Sequence, residues 1–231
     1  MLCHVRPLRK ARREASSKRA APFVCRLVIM AKLPVAGRVK TRLAREIGMV
    51  EATRFYRTTM RAVIARLAGQ PFWRTYLSVS PDTGTASPML PPGVGRLAQG
   101  AGDLGARMQR PMRTLPPGPV CVIGTDIPGI APADVRRAFR SLGRAEIVFG
   151  PAEDGGFWLV GMRRRPRIID PYAGVRWSRD DTLASVEANL GARPPARTTR
   201  LADVDGARDL RRFGGSQARL VRPRREPASR Q

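Results

Sequence analysis

The sequence predicts an α/β fold, a mostly parallel mixed sheet flanked by helices on both faces, and three observations carry that expectation. Short apolar runs of buried-strand length recur, Val24–Met30 and Val120–Gly124 being the clearest. Segments of helical period stand between them, and strand–helix alternation at such lengths makes a doubly wound sheet. At 231 residues and 42% apolar content the chain suits one α/β domain with a full core.

Taken in order, Val24–Met30 is the first strand, and Glu51–Leu67 follows as a helix with Phe55, Met60, Val63, Ile64 and Leu67 towards one face. Trp73–Val79 alternates as a strand. Val94–Gln99 is a short strand broken by Gly95 and Arg96, and Leu104–Met112 a helix that Pro111 is expected to shorten. After the buried strand Val120–Gly124, Pro132 opens a helix carrying Val135, Phe139 and Leu142 on its apolar side. Glu146–Phe149 and Phe157–Val160 are strands around a turn. Ser178–Leu190 reads as a capped helix, and Asp205–Phe213 closes the domain. Residues 1–22 and 216–231 are basic and lack a sustained period, so both are expected to be disordered extensions around a domain spanning 23–215.

Composition removes several function classes. The net charge of +25 rests on 43 Lys and Arg against 18 Asp and Glu. The arginines are spread through every segment rather than gathered into a stripe, so a biased composition accounts for them as well as a nucleic-acid surface does. A basic nucleic-acid-binding module and a non-catalytic nucleotide-binding protein remain the alternatives outside enzymes. The three cysteines read as reduced thiols, with Cys25 and Cys121 inside strand-like runs. His4 is the only histidine and lies in the basic N-terminal stretch. A Ser–His–Asp triad, a Cys–His pair and a His-ligated zinc are therefore excluded from the core. What remains is carboxylates, cations and hydroxyls, the set that works on phosphates with Mg²⁺. No apolar run approaches membrane-spanning length, and the expectation is a cytoplasmic protein.

In doubly wound sheets ligands bind beyond the carboxyl ends of the strands. The first strand runs into a loop containing Lys32, Pro34, Gly37, Arg38, Lys40 and Arg42. Lys40-Thr41 has the look of a P-loop, but Pro34 and Val39 stand where that motif needs glycine. A phosphate grip ahead of a helix is the functional reading, and a solvated basic loop the competing one. Gly100-Ala101-Gly102-Asp103-Leu104-Gly105 matches the dinucleotide pattern G-x-G-x-x-G, but Asp103 would set a carboxylate where a pyrophosphate belongs. The strand Val120–Gly124 delivers Asp126 into a turn stiffened by Pro128, a position for an acid that holds a metal; an Asp bonded to its own loop is the alternative. Asp154 before Gly155 and Gly156 offers a carboxylate for an acceptor hydroxyl beside backbone that a ligand can approach, or else a plain Asp-Gly turn. Asp203 and Asp205 fall on one side of an extended chain and suit a metal contact, although Asp205 could cap the last helix.

The segments AKLPVAGRVKTRL, GAGDLGARM, VIGTDIPGI, VFGPAEDGGFWLVGM, VRWS and LADVD, in this order across roughly residues 26–210, resemble a bacterial family of radical-SAM/selenodomain-associated, arsenosugar-type glycosyltransferases. More distantly the chain is similar to guanylyltransferases of the molybdenum-cofactor and phospholactate type. The resemblance implies the Rossmann-like nucleotide-diphospho-sugar transferase (GT-A) fold and a Mg²⁺- or Mn²⁺-dependent glycosyltransferase. That enzyme takes a nucleotide sugar and a small-molecule acceptor; nucleotidyl transfer from an NTP to a phosphorylated small molecule is the alternative. It implies Lys32, Gly37, Lys40, Arg42, Asp103 and Thr125 on the nucleotide and its phosphates. Asp126, Asp203 and Asp205 would hold the metal, Asp154, Gly155, Gly156 and Trp177 the acceptor side, and Asp154 and Lys40 would be catalytic.

Overall fold

Alternation along the strands sorts the core into two layers, one on each side of a seven-stranded sheet. The computed structural model describes residues 23–217. The strands are β1 Arg26–Lys32, β2 Arg74–Ser80, β3 Gly95–Ala98, β4 Val120–Ile123, β5 Ile147–Pro151, β6 Phe157–Met162 and β7 Ala196–Arg197, in the spatial order β3-β2-β1-β4-β6-β5-β7. All neighbours pair parallel except β6, which runs antiparallel to both β4 and β5. The fold class is the expected one, a mostly parallel mixed sheet flanked by helices.

The helices are α1 Thr41–Ile47, α2 Met49–Leu67, α3 Leu104–Thr114, α4 Pro132–Ser141, α5 Thr182–Ala188 and α6 Ala207–Gln217. Leu27, Ile29 and Ala31 of β1 and Cys121 and Ile123 of β4 pack on Met60, Val63, Ile64 and Leu67 of α2 and on Val135 and Ala138 of α4. The alternate residues Val28, Val120 and Val122 pack on Met108 and Met112 of α3 and Leu183 and Val186 of α5. A helix period of 3.6 against a strand period of 2 makes this three-layer arrangement self-consistent.

Several boundaries differ from the sequence reading, each for a local reason. The chain enters α1 before α2, and Gly48 (φ 88°) separates the two. Pro111 does not shorten α3, which runs on to Thr114 with Pro111 buried inside it. The helix expected from Ser178 begins at Thr182. Ser178 has a positive φ of 62°, and the Thr182 hydroxyl accepts from Arg179 N and donates back to the preceding turn, which holds residues 178–181 out of the helix. The last helix is capped by Asp209, whose carboxylate accepts from the backbone N–H groups of Asp205 and Gly206, and not by Asp205. It reaches Gln217, two residues into the stretch expected as a tail. The expectations for residues 1–22 and 218–231 lie outside the described residues. Cys121 is buried and Cys25 partly so, both free, as expected of core thiols.

Part of the basic excess is structural. Arg26 and Arg164 donate to the carbonyls of Val24, Leu115, Pro116, Pro117 and Gly118, Arg66 clamps those of Pro128 and Ile130, and Arg96 those of Thr85 and Ser87. A planar guanidinium satisfies several loop carbonyls at once, which ties loops down without extra secondary structure.

The strand order reverses at β1: the chain passes through α1 and α2 to β2 on one side, then returns through α3 to β4 on the other. That reversal leaves a crevice beyond the carboxyl ends of β1 and β4. Tyr56 of α2 fixes its edges. The Tyr56 hydroxyl accepts from Lys32 N (2.8 Å) and from Thr125 Oγ1 (3.3 Å) and donates to the Lys32 carbonyl (3.1 Å), tying α2 to the ends of both strands. Burial is the main cause that raises the Tyr56 phenol above its ordinary value, so it stays a neutral donor. Tyr56→Phe leaves the Lys32 amide without its acceptor and should lower stability by about 1–3 kcal/mol. A denaturant midpoint shifted by that amount at unchanged slope is the expected result; an unchanged midpoint would remove Tyr56 as the tie.

Candidate active site at the ends of the first and fourth strands

The crevice opens into a cleft of about 720 Å³ whose floor is Met30, Val122, Ile123 and Gly124. A volume of this order accommodates a nucleotide-sized ligand. The walls bring together segments far apart in sequence: the loop after β1, the start of α3, the turn after β4, the β5–β6 turn, residues 177–182 and residues 203–205.

At one end of the cleft lies a charged cluster built on Lys40. Its ammonium donates to Asp205 Oδ1 at 2.7 Å and to Asp126 Oδ2 at 3.2 Å, and its side chain is only 8% exposed. Burial pulls this ammonium down, but the two carboxylates outweigh it and hold Lys40 above the ordinary lysine value. Backbone geometry aims the side chain, because Lys40 sits in the left-handed region (φ 45°, ψ 47°) immediately before α1. The carboxylates arrive by separate routes. Asp126 follows β4 directly, while the segment 196–204 runs beside β5 and passes Asp126, with Leu201 N donating to the Pro151 carbonyl and Val204 N to that of Asp126. Arg42 extends the cluster at the surface, 3.8 Å from Asp205.

Asp203 faces the same cluster, and among the described residues no cation pairs with it. Burial first, then the charges of Asp205, Asp154 and Asp126, raise its carboxyl to about 6. Two carboxylates thus pair with one buried ammonium, and Asp203 and Asp154 lie near enough for like charge to be felt at Asp203. Among the described residues no three metal-ligating side chains converge on one point, since Lys40 stands between Asp126 and Asp205. The donor set itself, hard carboxylate oxygens in local excess, fits Mg²⁺ or Mn²⁺.

The remaining expected residues divide. Lys32, Arg42, Thr125, Asp154, Gly156 and Trp177 line the cleft, as does Asp103. Thr125, however, spends its hydroxyl on Tyr56. Asp103 caps α3 through Ala106 N (2.8 Å) and accepts from Trp177 Nε1 (3.0 Å), and these two bonds hold its carboxyl below the usual range. The G-x-G-x-x-G stretch does follow a strand and open a helix, but the strand is at the sheet edge and the chain's own carboxylate fills the helix N-terminus. Asp154 closes its own turn by accepting from Gly156 N at 2.9 Å. Gly37 and Gly155 are not cleft glycines. Gly37 is exposed and approaches Met49, and Gly155 is required because a Cβ there would fall 1.9 Å from the Asp180 carbonyl oxygen.

Gln99, Arg107 and Arg179 line the cleft and were missed in the sequence. Buried Gln99 donates to the carbonyl of Ser78 at 2.9 Å and offers Oε1 to Arg107 at 3.4 Å, stitching β2 to α3. A polar residue ending a strand just before a glycine pair was the available signal.

The raised Asp203 carboxyl has a pH consequence. With its value moved from 3.8 to about 6 on folding, the native state holds more protons than the unfolded chain between those limits. Its contribution to stability is therefore undiminished in acid and is lost as the pH rises through about 6. Asp203→Asn should flatten that part of a melting-temperature profile; a profile that keeps its slope would show that Asp203 is not the titrating group.

The geometry has relatives. No curated protein matches the chain by sequence. The chain is similar to the crystal structure of a proposed nucleotide-diphospho-sugar transferase from Desulfovibrio desulfuricans G20, with 28% identity over 84% of this chain and 90% of that one and a TM-score of 0.74. It shares its fold with a nucleotidyl transferase from Methanothermobacter (16% identity, 85% and 98% covered, TM-score 0.58). It also shares it with a CMP:2-keto-3-deoxy-manno-octonic acid synthetase complexed with CTP (13%, 85% and 99%, TM-score 0.54). A family model described as "Uncharacterized protein conserved in bacteria (DUF2064)" matches residues 63–179. With just over half of its length so matched, from the C-terminal part of α2 to the turn before α5, the chain belongs to the DUF2064 family.

Proposed function

We propose that this protein is a divalent-metal-dependent glycosyltransferase that moves a sugar from a nucleotide-diphospho-sugar to a small hydroxyl acceptor. The observation that carries the reading is the Lys40–Asp126–Asp205 cluster at the end of a nucleotide-sized cleft. The likeness to a proposed nucleotide-diphospho-sugar transferase supports it, and the arsenosugar-type kinship suggested by the motifs belongs to the same proposal. In this reading Asp126, Asp203 and Asp205 would be the residues to hold Mg²⁺ or Mn²⁺, and the ion would supply stabilisation of the negative charge that develops on the leaving diphosphate. Lys40 and Arg42, which both line the cleft, would contact the diphosphate of the donor. The acceptor oxygen bonds to the sugar carbon, the bond from that carbon to the diphosphate oxygen breaks, and its electron pair leaves on the nucleoside diphosphate. The hydroxyl proton passes to Asp154, which lines the cleft.

Nucleotidyl transfer is the second reading, favoured by the shared fold with the nucleotidyl transferase and the CMP-sugar synthetase. The loop after β1 weighs against it. Wrapping a triphosphate takes free backbone amides, whereas here Leu33 N, Val35 N and Arg38 N are bonded to the carbonyls of Ser80, Leu33 and Val35. Side-chain cations suit a diphosphate held from one side.

Product analysis separates the two. Over a panel of nucleotide sugars without acceptor, one should be slowly hydrolysed to its NDP only when Mg²⁺ or Mn²⁺ is present. Lys40→Ala should slow that hydrolysis by roughly 10²-fold or more, the scale of losing one donor to a developing anion. Pyrophosphate release from an NTP and a sugar phosphate, with no NDP from any nucleotide sugar, would replace glycosyl by nucleotidyl transfer.

A further inference from the structure

Behind the carboxylate cluster lies a second cavity of about 450 Å³, between the β5–β6 turn, residues 201–204 and α6. Its volume is within the range of small-molecule sites. Ile127, Asp154 and Asp203 line both this cavity and the large cleft, so the two are separated by a single layer of side chains. The floor is apolar, made by Ile127, Leu201, Val204 and Phe213.

The charges around it are one-sided. Arg212 is the cavity's one cation among the described residues, and Glu153 binds its guanidinium at 2.6 Å. Asp209 is occupied with the backbone N–H groups that begin α6. Asp154 and Asp203 also face the space, and among the described residues no further cation lines it. Among the described residues, the cavity thus offers an anion no lysine or arginine except the one that Glu153 already holds. A phosphate here would lose its hydration and meet like charge. A hydroxyl or an ammonium can donate to Asp154 and Asp203, and an apolar body behind it would cover the floor.

We propose that this second cavity is the acceptor site, and that it takes an uncharged or cationic hydroxyl compound with an apolar face and excludes phosphorylated acceptors. The inference rests on the transferase reading and narrows it, since an acceptor seated there presents its oxygen past Asp154 to a donor in the large cleft. It is independent of Gly156 and Trp177, which line only the donor side.

Three probes with one tail and different heads test it: hexyl glucoside, 6-amino-1-hexanol and hexyl phosphate, each titrated into the full chain by calorimetry. The two hydroxyl probes should bind at least roughly tenfold more tightly than hexyl phosphate. Ala202→Trp places an indole on an exposed residue of the cavity wall and should remove their binding. Glu153→Gln frees Arg212 and should gain roughly tenfold for hexyl phosphate. This second variant changes only an exposed ion pair, so it reports even if the tryptophan variant does not fold. Hexyl phosphate binding as well as the hydroxyl probes, neither hydroxyl probe binding, or either variant behaving like wild type would overturn the assignment. Nucleotide binding measured on the same samples stands apart: its absence from the wild type counts against the transferase reading, and probe selectivity alone decides the acceptor site.

Discussion

A lysine ammonium held between two carboxylates from distant parts of the chain is the interaction on which the arrangement of the cleft depends. Lys40 comes from the loop after β1, Asp126 from the end of β4 and Asp205 from the segment that leads into α6. An ammonium this buried would ordinarily lose its proton more readily, and the two carboxylates reverse that tendency. The same contacts restrain three otherwise independent loops. Removing Lys40 would leave Asp126, Asp154, Asp203 and Asp205 facing one another, the like-charge crowding already visible at Asp203.

The sheet makes this convergence possible. Its order reverses at β1, so the first and fourth strands end side by side, and Tyr56 pins both ends from the helix layer beneath. The charged end of the cleft and the second cavity share the turn at Asp154 and the segment around Asp203. The two cavities are thus two faces of one set of loops.

The fold was legible where local pattern and tertiary environment agree. The apolar runs at β1 and β4 and Met60, Val63, Ile64 and Leu67 of α2 could only be core, and the structure buries them, whereas Phe55 of the same stripe is partly buried against the smaller cluster of Leu43, Ala52 and Ala207. Asp126, Lys40 and the Asp203–Asp205 pair stood out as charges beside buried strands, and all four residues reach one cleft. What the pattern could not give was their mutual pairing. Whether a loop lysine meets phosphate or carboxylate depends on contacts across 165 residues of chain. Gly155 had a visible conformational demand, but the close approach it permits is to Asp180 and not to a ligand. Asp103 was visible as an acid ahead of a helix, yet its partner Trp177 lies 74 residues away. The two-residue β7 and the short α1 carry too few residues for any period to register.

If the buried ammonium occupies ground that a divalent cation would take, the two must compete for Asp126 and Asp205. Titrating Mn²⁺ by calorimetry into nucleotide-free wild type and Lys40→Met tests this directly, because methionine keeps the bulk of the side chain and removes its charge. The account predicts metal binding at least roughly tenfold tighter in Lys40→Met; equal or weaker binding in the variant would contradict it.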